Sequence, residues 1–73
     1  MNPVDMKTLS KKLGLNIKRI REGKQMTQGD ICRKTGFDRS YISNVEAGKS
    51  NPTLTTLEKI AQALGVSSDE LLK

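Results

Sequence analysis

Polar side chains with hydrogen-bonding groups recur at spacings of one and four residues in one short segment: Arg39, Ser40, Ser43 and Asn44. If the segment is helical, this spacing places them together on one face. An arginine side chain donates two hydrogen bonds to the O6 and N7 of guanine, and serine or asparagine can contact neighbouring bases. The chemistry indicated is hydrogen bonding to base edges, with Arg39, Ser40 and Asn44 as candidate base contacts.

The sequence has few of the residues that catalysis, metal binding and disulfide formation usually require. The chain has no histidine and one cysteine, Cys32, so it lacks the commonest general base and metal ligand, and it cannot form an internal disulfide. We therefore expect no enzyme activity, no metal and no cofactor, and we interpret Cys32 as a small buried thiol. Met1 to Ser10 does not resemble a signal peptide, and no apolar run reaches the roughly 20 residues of a membrane span. The expected location is the cytoplasm.

Basic residues are concentrated in the first half of the chain. Thirteen Lys and Arg stand against eight Asp and Glu, for a formal net charge of +5. Residues 1–37 hold nine of the basic and three of the acidic side chains. Such a bias favours a polyanionic partner, either a nucleic acid or an anionic membrane surface. A simply solvated basic face explains the charge equally well, so charge alone leaves the partner open.

Apolar residues at helical spacing predict the first helix, which ends near Gly23. Those expected to share its core-facing side are Leu9, Leu13, Ile17 and Ile20. Glycine is unfavourable inside a helix, so the helix starts either near Lys7 or only after Gly14. Residues 1–6 are expected to be disordered or to fray.

Capping residues and glycines bound the remaining helices. The predicted boundaries are Thr27 and Gly36 for the second helix, Asp38 and Gly48 for the third, Thr53 and Gly65 for the fourth, and Ser67 and Leu72 for the fifth. The spacing Ser67-x-x-Glu70 matches a capping box, and Thr27-x-x-Asp30 is a variant of it, because the fourth residue is usually Glu or Gln. The sequence therefore predicts one all-α domain of five helices over residues 1–73.

The segment from Gln28 to Ala47 has the pattern of two helices that meet at a large angle. Such a pair needs a small residue in its first helix, supplied by Cys32, and a left-handed turn residue, supplied by Gly36. The apolar positions expected to point inward are Ile31, Phe37, Ile42 and Val45, and the fourth helix is expected to add Leu54, Leu57, Ile60, Ala61 and Leu64 to the core. The second helix of the pair keeps its polar face outward, and a helix fits the major groove of DNA.

The stretch from Ile17 to Leu72 resembles the phage-repressor helix-turn-helix family (Cro/CI-like, or XRE). The resemblance lies in the composition and spacing of IKRIREGKQMTQGDI, TGFDRSYISNVEAGKSNP and TLEKIAQALGVSSDELL. DRSYIS and the small size are similar to the controller proteins of restriction–modification systems. The resemblance implies a lambda-repressor-like fold with a helix-turn-helix formed by helices 2 and 3. It also implies a sequence-specific transcriptional regulator that binds double-stranded DNA.

The resemblance also implies roles for individual residues. It implies that Gln28 contacts a DNA phosphate and that Arg21 pairs with Glu46 as a structural ion pair. Further contacts with the DNA backbone are expected from Thr27, Tyr41, Ser43, Lys49, Ser50 and Asn51. Such contacts position a protein on DNA and contribute much of its salt-dependent affinity.

One recognition helix contacts too few base pairs to select an operator, so we expect a homodimer on a palindromic operator. Its two half-sites would lie about 34 Å apart. The candidate dimer interface is formed by Val66, Leu71 and Leu72, at the end through which the resembled family commonly dimerises. Further expectations are autoregulation, control of a restriction–modification operon, RNA polymerase as an additional partner, and no small-molecule ligand.

Two other functions remain open on the sequence. An antitoxin-type protein-binding module that also binds DNA would co-purify with a tightly bound second chain. A membrane-surface helix over residues 7–24, which are basic and partly amphipathic, would bind liposomes without binding DNA. The sequence also leaves open the operator, the direction of regulation, and whether the chain is a whole protein or part of a longer regulator.

Overall fold

The computed structural model describes residues 6–73, with side chains from Thr8 onward. Five helices follow one another along the chain: α1 (Met6–Gly23), α2 (Gln28–Thr35), α3 (Arg39–Glu46), α4 (Leu54–Leu64) and α5 (Ser68–Leu71). The described part of the chain contains no strand, so the all-α, five-helix prediction is confirmed. The expectation of disorder over residues 1–6 lies outside the described residues, apart from Met6, with which α1 begins.

Helix α1 runs without a break through Gly14. A Cβ at this position would lie 2.5 Å from the carbonyl oxygen of Val45 and would also overlap the carbonyl group of Glu46. The glycine therefore does not mark a helix start. It lets α1 approach the C-terminal end of α3 more closely than any residue with a side chain would allow.

The predicted boundaries of α2 and the turn after it are confirmed in detail. The Thr27 hydroxyl accepts a hydrogen bond from the Asp30 N–H, and the Asp30 carboxylate accepts one from the Thr27 N–H, which completes the capping box. Gly36 has a φ of +82°, and its N–H bonds the carbonyl of Cys32. This left-handed residue ends α2 and turns the chain toward α3, which begins one residue after Asp38.

The capping box predicted for α5 is wrong. Ser67 occupies the N-cap position, but its side chain makes no capping hydrogen bond. The carboxylate of Glu70 instead accepts a hydrogen bond from the Lys73 ammonium at 2.8 Å. Glu70 is thus paired with a lysine three residues further along the chain and takes no part in the cap of α5.

The core lies between α1, the α2–α3 pair and α4, and α5 closes it from one end. Its fully buried side chains are Ile17, Ile31, Ile42, Val45, Ile60, Leu64 and Leu71. Cys32 and Phe37 are partly buried and pack against this cluster. With Leu13 and Ile17 buried, the main apolar face of α1 is used inside the protein.

Two residues predicted to lie in the core are exposed. Leu9 is 46% exposed, because it lies near the start of α1, beyond the part of the helix that packs on α3. Leu54 is 79% exposed, because it is the first residue of α4 and faces away from the core. The predicted apolar faces of both helices are therefore correct at their centres and wrong at their first turns.

Leu71, which was assigned to the dimer interface, is 0% exposed and belongs to the core. Helix α5 folds back against α4 and α1, and the Asn16 side-chain amide donates a hydrogen bond of 2.9 Å to the Leu71 carbonyl. Leu71 is therefore not available to a second molecule, whereas Leu72 beside it is 54% exposed. Among the described helices, none has the length and apolarity that a membrane crossing requires.

Candidate nucleic-acid interface

The outward face of α3 is the surface that the sequence assigned to base contacts. Arg39, Ser40, Ser43 and Asn44 are all exposed there. On the opposite side of the helix, Ile42 and Val45 are each only 1% exposed. The buried side holds α3 against the rest of the protein, and the polar side chains project into solvent at the surface.

Tyr41 lies at the margin of this face rather than on it. Its ring is half-buried and packs edge-on against Phe37, with ring centroids 5.5 Å apart and an interplanar angle of 74°. The Lys59 ammonium lies 5.8 Å from the centre of the Phe37 ring. These contacts fix the turn between α2 and α3, and they leave part of the tyrosine side chain exposed next to the first residues of α3.

A buried ion pair connects α1 to the last residue of α3. Arg21 Nε and Nη2 donate to the two carboxylate oxygens of Glu46 at 2.7 and 2.9 Å. The side chains are 10% and 4% exposed, and Arg21 also donates to the Met26 carbonyl at 2.8 Å. The hydrogen bonding of Arg21 to the Glu46 carboxylate raises the pKa of Arg21, which favours its charged form. The two-point geometry fixes the direction of α3 relative to α1.

Glu46 has a second partner that the sequence did not reveal. Gln28, the first residue of α2, donates from its side-chain amide to the Glu46 carboxylate at 3.0 Å. One carboxylate thus connects α1, α2 and α3. The expected phosphate contact of Gln28 has to use its remaining amide N–H or its backbone N–H, which lies in the first turn of α2 and has no intrahelical partner.

Thr27, another residue expected to contact the DNA backbone, is the N-cap of α2. Its hydroxyl and its N–H both bond to Asp30, at 3.1 and 2.8 Å. The hydrogen bond that the Thr27 N–H donates to the Asp30 carboxylate is the main cause that lowers the pKa of Asp30 below its ordinary value of 3.8. The cap keeps the start of α2 ordered, where Gln28 bonds Glu46 at the end of α3.

The loop after α3 carries the last group of expected contacts. Lys49 and Asn51 are exposed and Ser50 is half-buried. The Lys49 N–H bonds the Asn44 carbonyl at 2.9 Å, so the loop continues directly from the recognition face. The Asn51 side chain accepts a hydrogen bond from the hydroxyl of Ser10 on α1, a residue to which the sequence gave no role.

The expected dimer interface is only partly at the surface. Leu72 is exposed and Val66 is half-buried, but Leu71 is buried in the core. Next to Leu72, an apolar cleft of about 150 Å³ runs between α1, the α3–α4 loop and α5, and exposed Leu9 and half-buried Pro52 help to line it. The apolar surface at this end of the protein therefore comes from α1 and α5 together.

Comparison with known proteins places this arrangement in context. The model of the helix-turn-helix family HTH_3 matches residues 17–71. An uncharacterized HTH-type transcriptional regulator of Sinorhizobium fredii, y4dJ, is 44% identical over 69 residues, which cover 94% of this chain and 86% of the relative. The immunity repressor protein of Bacillus phage phi105 is 41% identical over 54 residues, 74% of this chain but 38% of that longer protein.

A solved structure matches the chain in fold and over nearly its whole length. It is the restriction–modification controller protein C.Esp1396I, crystallised as a tetramer in complex with its natural 35 base-pair operator. The TM-score is 0.77 at 40% sequence identity, and the match covers 89% of this chain and 96% of the controller chain. The similarity to phage repressors and controller proteins indicated by the sequence is therefore confirmed.

Proposed function

Because this chain belongs to the helix-turn-helix family HTH_3, we propose that it is a transcriptional regulator that binds double-stranded DNA sequence-specifically. The observation that carries the proposal is the exposed polar face of α3, whose opposite side is buried and whose end is fixed by the Arg21–Glu46 pair. Arg39 is assigned to a guanine, and Ser40 and Asn44 to neighbouring bases.

Contacts with the DNA backbone are proposed from two segments that contact α3. At the start of α2, where the Gln28 side chain bonds Glu46, Gln28 and the first-turn N–H groups offer donors to a phosphate. The loop that follows α3 offers the Lys49 ammonium and the side chains of Ser50 and Asn51. Thr27, Tyr41 and Ser43 complete the proposed backbone contacts. Donors from two segments would help to fix the register of the recognition helix in the groove.

We further propose that the protein acts as a homodimer on a palindromic operator, with RNA polymerase as an additional partner. Exposed Leu72 and Leu9 support a dimer interface at the α5 end, because they line a cleft whose walls are mainly apolar. Val66 is proposed as a further contact of this interface. The operator-bound relative is a tetramer. Autoregulation and control of a restriction–modification operon are proposed from the same similarity.

The proposal is tested by selecting duplex DNA from a random pool with the purified protein at moderate salt. We expect an enriched palindrome, and Arg39→Ala is expected to relax the preference at one position of each half-site, at a cost of about 1–3 kcal/mol. Arg33→Ala is the matched control, since it removes the same charge from an exposed position on α2. This control should leave the recovered sequence unchanged. If no sequence is enriched and the amount of DNA retained by the protein merely falls with salt, the proposal of sequence-specific binding is wrong. That result would favour a protein partner.

A further inference from the structure

Two contacts join the first half of α1 to the loop that follows α3. The Ser10 hydroxyl donates to the side-chain oxygen of Asn51, across 41 residues of sequence. Gly48, with a φ of +76°, lies so close to Lys11 that a Cβ there would be 2.9 Å from the Lys11 Cα. The course of the loop is therefore set by direct contact with α1.

The hydrogen bond from Ser10 also orients the amide of Asn51. Serine hydroxyls inside helices commonly bond the carbonyl four residues earlier, whereas this one reaches another segment. Ser10 is only 7% exposed, while Asn51 is at the surface. Because Ser10 holds the amide oxygen, the NH₂ group at the other end of the amide is turned away from α1. An NH₂ group is a donor, which is the kind of group that a phosphate oxygen binds.

We propose that Ser10 is a positioning residue for DNA binding, which holds Asn51 so that its NH₂ group donates to a backbone phosphate beside the recognition helix. Ser10 is buried and acts only through Asn51. The inference rests on the proposed function, since it requires the loop from Lys49 to Asn51 to face DNA. It adds α1, which carries none of the proposed DNA contacts, to the parts of the protein that determine affinity.

The first test is a double-mutant cycle on affinity for the duplex that the protein itself selects. Ser10→Ala and Asn51→Ala should each weaken binding about two- to tenfold per subunit, the range for one hydrogen bond. If Ser10 acts through Asn51, the double variant should bind no more weakly than Asn51→Ala alone. Losses that multiply in the double variant would overturn the proposal.

A second pair of variants separates the hydroxyl from the shape of the side chain. Ser10→Thr and Ser10→Val have nearly the same volume and the same branching, but only threonine keeps the donor. The apolar cleft beside Ser10 gives the added methyl groups room. We expect the threonine variant to bind the duplex about two- to tenfold more tightly per subunit than the valine variant. Equal affinities, with both variants folded by circular dichroism, would refute the role of the hydroxyl.

A third experiment identifies the phosphate that Asn51 contacts. Replacing single phosphates of the selected duplex with neutral methylphosphonates should reveal a position in each half-site whose replacement weakens the parent protein. That penalty should be absent in Asn51→Ala and reduced in Ser10→Val. A full penalty in both variants would overturn the inference while leaving the proposed function intact. If the parent protein selects no duplex at all, the proposed function fails and this inference fails with it.

Discussion

Replacing Glu46 with leucine is expected to destabilise the protein severely, because it leaves the Arg21 guanidinium buried without its counter-charge. Arg21 is 10% exposed in its side chain, so water cannot readily replace the two lost hydrogen bonds. Gln28 loses its acceptor as well. Removing one partner of a buried pair costs about 3–5 kcal/mol, far more than the pair itself contributes.

This loss is large relative to the whole stability of so small a domain. At roughly 0.05–0.15 kcal/mol per residue, a chain of 73 residues has a free energy of unfolding of about 4–11 kcal/mol. The raised pKa of Arg21 means that its contribution is complete at neutral pH and is lost only as the pH rises through that raised value. A loss of about 3–5 kcal/mol leaves at most about 8 kcal/mol, and at the lower end of the range Glu46→Leu is expected to unfold at pH 7.

The double variant Arg21→Met/Glu46→Leu separates this explanation from a simple loss of contacts. With no charge left in the site, it should be more stable than Glu46→Leu alone, although Gln28 still lacks its partner. Urea unfolding at pH 7, followed by circular dichroism, gives the free energies. Glu70→Gln is the control, since it breaks an exposed pair and should change stability far less. A cost for Glu46→Leu below about 1 kcal/mol, or a double variant no more stable than Glu46→Leu alone, would refute the reasoning.

Three further predictions concern packing, acid stability and association. Gly14→Ala should lower the free energy of unfolding by about 1–3 kcal/mol, because its Cβ would overlap backbone carbonyls at the end of α3. Gly23→Ala, where nothing lies within 4 Å of the added carbon, should not destabilise the protein, and equal losses in urea would contradict this account. The lowered pKa of Asp30 gives stability that is present above its ordinary value of 3.8 and is lost as the pH falls through the lowered one. In melting experiments across that range, Asp30→Asn should therefore show a smaller acid-induced fall in Tm than the parent, and an identical fall would count against the cap. Leu72→Glu should abolish a concentration-dependent dimer in sedimentation while the fold is kept, whereas Leu71→Ala should cost about 2–5 kcal/mol of stability. A Leu72→Glu protein that still dimerises would place the interface elsewhere.

Features that depend on short stretches of sequence were predictable. The capping box of Thr27 and Asp30, the left-handed Gly36 and the inward Ile42 and Val45 all follow from relations within one or two helical turns. These local signals also fixed the exposed position of Arg39 and its neighbours. The five helices and the polar face of α3 could therefore be derived before any tertiary contact was known.

Helical periodicity predicted burial wrongly at the ends of helices, where the packing of neighbouring segments decides which side chain is buried. Leu9 and Leu54 have the spacing of core residues but lie in the first turns of their helices, beyond the neighbouring segments. Leu71 is the last residue of a four-residue helix and Leu72 is its C-cap, and so short a helix has too little periodicity to show which leucine points inward. The docking of α5 on α1, through Asn16, decided that Leu71 is buried.

The sequence by itself determined the fold class, the helix-turn-helix and the residues presented by its recognition helix, because these depend on local spacing and backbone conformation. Only the tertiary structure decided that Glu46 also holds Gln28, and that Ser10 holds Asn51. These partners are 18 and 41 residues apart in the chain. Hydrogen bonds between distant residues depend on where whole helices pack, and no spacing within one segment encodes that distance.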